Sequence, residues 1–101
     1  MGYNRPIRVE MTDVYRDWIN GLRDVVGRAR IQMRIDRLVH GNPGQFRNLA
    51  GGISELKIDV GPGYRVYYTK REGFLIILLA GGDKSSQTKD IKLAAALAKG
   101  L

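Results

Sequence analysis

SELKIDVGPGYRVYYTKREGFLIILLA, residues 54–80, is the stretch that decides the fold. From Ser54 to Val60 the residues alternate, with Leu56, Ile58 and Val60 pointing one way and Glu55, Lys57 and Asp59 the other, the period expected of a half-buried strand. Gly61-Pro62-Gly63 is a turn, and the alternation resumes from Tyr64 to Thr69. After a second turn at Arg71-Glu72-Gly73, the run from Phe74 to Ala80 is apolar on both faces and reads as a central strand ended by Gly81 and Gly82. The stretch is a β-meander.

Towards the amino terminus, Ile7, Val9 and Met11 alternate with Arg8 and Glu10, which predicts another strand. Thr12 is placed to cap a helix with Asp13 in its first turn, and Val14, Trp18 and Leu22, four residues apart, mark its buried face up to a bend at Gly21. A second helix, from about Arg23 to His40, carries Val25, Val26, Ala29 and Met33 on one side and Ile31, Ile35 and Leu38 on the other, so it is expected to touch two layers. Gly41-Asn42-Pro43-Gly44 ends it, and His40 reads as a helix-end cap rather than a catalyst. Beyond the meander, Ser85 or Ser86 caps a last helix with Ile91, Leu93, Ala94 and Leu97 facing the core. The order β-α-α-β-β-β-α predicts an α+β fold: an antiparallel-rich twisted sheet of about four strands, an N-terminal helical hairpin packed on it, and a C-terminal helix. Residues 1–101 read as one domain, since no repeat or linker divides them.

Composition bounds the function. Hydrophobic residues make up 44% of the chain, enough for a folded core, yet no apolar run approaches the length of a bilayer span. The start, Met1-Gly2-Tyr3-Asn4-Arg5-Pro6, lacks the apolar stretch of a secretory leader, which predicts a cytoplasmic protein. Without cysteine and with His40 as the one histidine, thiolate and imidazole metal sites are not expected. A net charge of +7 favours a polyanionic partner, nucleic acid or an acidic protein segment.

Strand parity brings chemistry together. If Gly61-Pro62-Gly63 is a three-residue loop, Val60 pairs with Tyr64, Asp59 lies opposite Arg65, and Lys57 lies opposite Tyr67. Lys57, Arg65 and Tyr67 then share the face turned away from Leu56, Ile58 and Val66, and the next strand delivers Asp83 and Lys84 at its far end. Such a surface suits metal-independent RNA cleavage through the 2′-hydroxyl, which needs a proton acceptor, stabilisation of a charged phosphorane, and a proton for the leaving oxygen. A lysine serves as base only where neighbouring cations disfavour its charged form. On this reading Lys57 is the base candidate, Arg65 stabilises the transition state, and Lys84 stabilises charge or protonates the leaving group. Tyr67 stacks on a base, while Arg47, Gln87 and Lys89 hold the backbone. The same residues admit a plain reading, in which Arg65 pairs with Asp59 across the strands and Lys57 is a solvated lysine. Gly81-Gly82-Asp83-Lys84-Ser85 lacks the spacing of a phosphate-wrapping loop. Asp83 and Asp90, near a helix start, suit stabilising surface chemistry as well as they suit an acid–base pair.

At Ser54–Ile58, Gly61–Tyr68 and Leu78–Gln87, with Lys89-Asp90-Ile91 after them, the sequence resembles the RelE/ParE superfamily, and more closely its HigB-like branch of addiction-module killer proteins. Leu49–Ile53 and the stretch from Asp13 to Gly44 also fit, so the resemblance covers nearly the whole chain. It implies the toxin of a type II toxin–antitoxin system: a ribosome-dependent mRNA endonuclease that inhibits translation, needs no cofactor and is neutralised by a cognate helix-turn-helix antitoxin. Within it, the arginine after Gly-Tyr corresponds to Arg65, the basic residue of the preceding strand to Lys57, and the basic residue after the last strand to Lys84. The sequence departs from the pattern at the last helix, where Gln87, Lys89 and Asp90 stand in a region that often presents a tyrosine or histidine. ParE-type members use this fold to inhibit DNA gyrase by binding, so gyrase inhibition stands as an alternative, and a non-catalytic RNA-binding accessory protein is a third.

Overall fold

The computed structural model describes residues 6–101, so most of the segment from Met1 to Pro6, on which the expectation about a leader rests, lies outside the described residues. The fold is α+β. Among the described residues nine elements succeed one another: β1 (Arg8–Met11), α1 (Asp13–Gly21), α2 (Val25–Val39), β2 (Phe46–Asn48), β3 (Ser54–Ile58), β4 (Tyr64–Arg71), β5 (Leu75–Asp83), a 3-10 turn (Lys84–Ser86) and α3 (Gln87–Lys99). The strands form one five-stranded sheet in the order β1-β5-β4-β3-β2, with β1 parallel to β5 and every other pair antiparallel. The strand beyond the expected four is β2, whose three residues are too few to show a period in the sequence.

Each face of the sheet carries its own core. Leu56, Ile58, Tyr64, Val66, Tyr68, Ile76 and Leu78 pack beneath α1 and α2 against Tyr15, Ile31, Ile35 and Leu38. On the opposite face Tyr67, Ile77, Leu79 and Ala80 meet Ala94 and Ala98 of α3, with Ile53 closing one side. Thr12 caps α1 as expected, accepting from the Tyr15 N–H at 3.0 Å, but the buried face of that helix is Tyr15 with Trp18, Ile19 and Leu22, while Val14 is exposed. Asp24 caps α2, accepting from the Gly27 N–H at 2.9 Å and from the Tyr64 hydroxyl at 2.7 Å. That bond joins the helical hairpin to β4 and pushes the Tyr64 phenol up to about 12, the anionic Asp24 disfavouring a second negative charge. Ile31, Ile35 and Leu38 face the sheet, whereas Val25, Val26 and Met33 are exposed, so α2 touches one layer rather than two. His40 is the C-cap of α2, with Nδ1 2.7 Å from the Asp36 carbonyl.

Two features of the meander differ from expectation. The β3–β4 ladder runs Ile58↔Tyr64, Lys57↔Arg65, Leu56↔Val66, so residues 59–63 form the loop. Val60 turns its N–H back to the Ile58 carbonyl (3.0 Å) and accepts from the Gly63 N–H (3.0 Å), which removes it from cross-strand pairing. The shift is two residues, and side-chain parity survives a shift of two. Secondly, Gly81 and Gly82 do not end β5, which continues to Asp83 past a bulge where Tyr67↔Ala80 gives way to Tyr68↔Leu78. The extra residue, Leu79, reverses the facing of the strand from Ala80 onward. Gly81 therefore meets Trp18 of α1, where a Cβ would lie 2.2 Å from the indole, and Gly82 meets Asp90 of α3, where a Cβ would lie 1.9 Å from Oδ2. The last helix buries Asp90, Ala94 and Ala98, leaving Leu93 exposed. Ser86 holds the N-cap position but donates its hydroxyl to Asp90 Oδ2 at 2.5 Å, and Asp83 caps the preceding turn through the Ser85 N–H at 2.8 Å. No helix among the described residues is long and apolar enough to cross a membrane.

Candidate functional site

Alternation places Glu55 and Lys57 of β3, Arg65 of β4 and Arg47 of β2 on the same sheet face as α3. Because α3 packs on β5 and β4, the strip over β2 and β3 stays open. The result is a cleft of about 430 Å³ lined by Gln45, Phe46, Arg47, Glu55, Lys57, Arg65 and Gln87.

Lys57 and Arg65 are direct cross-strand partners, closer than the diagonal neighbours that a three-residue loop implies. The backbone of Lys57 is held from two sides: its N–H donates to the Gln45 carbonyl at 3.0 Å, and its carbonyl accepts from Arg34 Nη1 at 2.6 Å. Arg34 also donates Nη2 to the carbonyls of Pro43 and Gln45 at 2.9 and 3.0 Å, tying α2 to the segment that leads into β2. Arg65 is 5% exposed. Its Nη1 reaches the Tyr64 carbonyl at 3.4 Å, and its Nε is buried without a hydrogen-bond partner. Asp59 is exposed in the loop and forms no pair with Arg65.

The carboxylate beside Arg65 is Glu55, which alternation alone leaves on the polar face without a role. It is 3% exposed. Oε1 accepts from Arg47 Nε at 2.8 Å and lies 3.9 Å from Arg65 Nε, and Oε2 accepts from Gln87 Nε2 at 2.9 Å. Burial by itself would raise the Glu55 pKa, but the bonds from Arg47 and Gln87 and the charges of Arg47 and Arg65 together hold it below the ordinary value. At neutral pH Glu55 is an anion on the floor of a cationic cleft. The sequence signal for it is an acid at the same parity as Lys57, and its cross-strand partner is Arg47 of the short strand β2.

The remaining candidates divide. Arg47 and Gln87 line the cleft. Lys84 is exposed and is not part of the lining, but its stem comes near one end of Arg65: a Cβ on Gly63, at φ +82°, would lie 3.5 Å from Arg65 Nη1 and 3.8 Å from Lys84 Cβ. Tyr67 is corrected. Its ring is enclosed beneath α3 with no exposed surface, so no nucleotide base can stack on it, and burial pushes its phenol pKa well up. Lys89 is exposed and lies outside the cleft lining, in a separate recess with Ser85, Ser86, Thr88 and Lys92. Asp90 is buried over Gly82, the strand partner of Arg65, and does not face the cleft lining. Among the described residues no cluster of three or more histidines or carboxylates is placed to hold a metal.

No family model matches the chain. An uncharacterized protein of Haemophilus influenzae is 46% identical over 95 residues, which cover 94% of this chain and 96% of that protein. The chain belongs to that protein's family. The match runs almost end to end in both chains rather than over one segment.

Proposed function

We propose that the protein is the toxin of a type II toxin–antitoxin pair, a cytoplasmic, metal-independent endoribonuclease that cuts mRNA on the ribosome and is neutralised by a helix-turn-helix antitoxin. The observation that carries this reading is the direct pairing of Lys57 with Arg65 in an open cleft lined also by Arg47 and Gln87, with the stem of Lys84 near the Gly63 end of Arg65. The resemblance of residues 54–58, 61–68 and 78–87 to HigB-like proteins supports it from the sequence side. In this reaction Lys57 accepts the 2′-hydroxyl proton and the 2′-oxygen attacks phosphorus. Arg65, buried in the cleft beside Glu55, stabilises the equatorial charge. The P–O5′ bond breaks, the 5′-oxygen takes a proton from Lys84 or from water, and a 2′,3′-cyclic phosphate remains. Arg47 and Gln87 contact the backbone, and Tyr67, enclosed beneath α3, takes no part in base recognition.

The decisive measurement is transcriptome-wide mapping of RNA 5′ ends after induction without antitoxin. New ends within translated mRNA, lost together with growth arrest in Arg65→Ala, are the expected outcome. Intact transcripts accompanied by trapped gyrase–DNA complexes would replace this reading with gyrase inhibition, and neither phenotype would leave an RNA-binding accessory protein.

A further inference from the structure

Glu55 joins three elements at one point. Its Oε1 lies between Arg47 of β2 and Arg65 of β4, and its Oε2 takes the side chain of Gln87, the first residue of α3. With both oxygens engaged and 3% exposure, the carboxylate has no free oxygen to offer as a proton acceptor. Arg65 shows the complementary situation. Its Nε is turned towards Glu55, and Nη1 lies at the opposite end beside Gly63, close to the stem of Lys84. The guanidinium thus lies between a fixed anion at one end and Gly63 at the other. Buried and short of hydrogen bonds, it has little to hold this aim apart from that anion and the 3.4 Å contact to the Tyr64 carbonyl.

We infer that Glu55 is the positioning residue of the cleft: its carboxylate sets the orientation of the Arg65 guanidinium and holds Arg47 and Gln87 beside it, so that the free edge of Arg65 faces a bound phosphate. The inference rests on the nuclease reading for its catalytic consequence, but the orientation of Arg65 is measurable without it. The experiment uses full-length wild-type, Glu55→Gln and Glu55→Asp proteins with two readouts. One is cleavage of ribosome-bound mRNA, resolved into kcat and KM. The other is the Arg65 Nε–Hε NMR resonance with and without inorganic phosphate. Glu55→Gln is expected to lower kcat on the order of a hundredfold, the cost of misaimed transition-state groups, with KM changed only a few-fold. Its Arg65 resonance should broaden and lose the phosphate-dependent shift of the wild type, and Glu55→Asp, which keeps the charge, should recover part of both.

A purely structural role would lower the thermal midpoint of Glu55→Gln and leave the Arg65 resonance of the folded protein unchanged, which overturns the inference. Wild-type protein that cuts no RNA, yet shows the stated Arg65 behaviour, sinks the nuclease reading and keeps the positioning role. Wild-type protein that cuts RNA while Glu55→Gln cuts equally well does the reverse. If Glu55→Gln fails to fold, Arg47→Ala and Gln87→Ala each remove one arm of the network, and an unaltered Arg65 resonance in both counts against the inference.

Discussion

Arg65 meets two demands that oppose each other: it must be desolvated enough to act on a phosphate and still be held in place. Burial of a guanidinium without compensation is costly, and Glu55 supplies the compensating anion at 3.9 Å. Because Glu55 titrates below the ordinary glutamate value of about 4.3, its contribution to stability is complete above that pH and is lost as pH falls through its folded value. Asp24 and Asp83, both held down chiefly by side-chain hydrogen bonds, act in the same direction. Thermal melts from neutral to acid pH should therefore show stability falling below about pH 4. Wild type and Glu55→Gln should differ most at neutral pH and converge in acid, and a difference independent of pH would show that folding leaves the Glu55 pKa where the unfolded chain has it. Lys57 and Arg65 are legible in the sequence because parity needs only strand assignment, and it survives an error of two residues in register. Glu55 is not legible as a site residue. Its partners Arg47 and Gln87 come from a strand of three residues and a helix start, neither of which announces its orientation in a period.

At the scale of elements, the bulge at Leu79 is what the sequence hides most completely. It decides which of two adjacent glycines faces which helix, Gly81 meeting α1 and Gly82 meeting α3, so that both helices approach the backbone of β5. The reading of Gly81-Gly82 as a strand end takes glycine as a breaker, whereas here the missing side chains make room for Trp18 and Asp90. Gly82→Ala is expected to destabilise the protein by about 1–3 kcal/mol through overpacking. Asp90→Ala in the same chain should relieve part of that loss, so urea unfolding of the two single variants and the double variant should be non-additive. Strict additivity would mean that the contact with Asp90 does not limit the approach of α3. Arg34 is the corresponding link on the other face. Arg34→Ala removes three hydrogen bonds to carbonyls of Pro43, Gln45 and Lys57 and should cost about 1–3 kcal/mol by the same measurement. Amide hydrogen exchange should at the same time quicken at Lys57, whose N–H pairs with Gln45.

The molecule as a whole separates support from reaction. The hairpin core fixes one face of the sheet, α3 covers half of the other, and the uncovered half is the cleft. The net charge of +7 is spread far beyond that half, with Arg28, Arg30 and Arg37 exposed along α2. Two modes of RNA association are therefore physically distinct. If the cleft does the binding, Lys57, Arg65 and Lys84 are its cations, since Arg47 is already paired with Glu55. Three phosphates neutralised on a single strand give a slope of roughly −2 in log K against log salt. If the diffuse charge of the whole surface does the binding, the slope is steeper and depends little on any one residue. Anisotropy titrations with a 2′-deoxy oligonucleotide, which cannot be cut through a 2′-hydroxyl, separate the two. We expect the shallower slope, and Lys57→Ala and Lys84→Ala should each flatten it by about 0.7 as one phosphate contact is lost. A steep slope that both variants leave unchanged would move RNA association off the cleft and onto the arginines of α2.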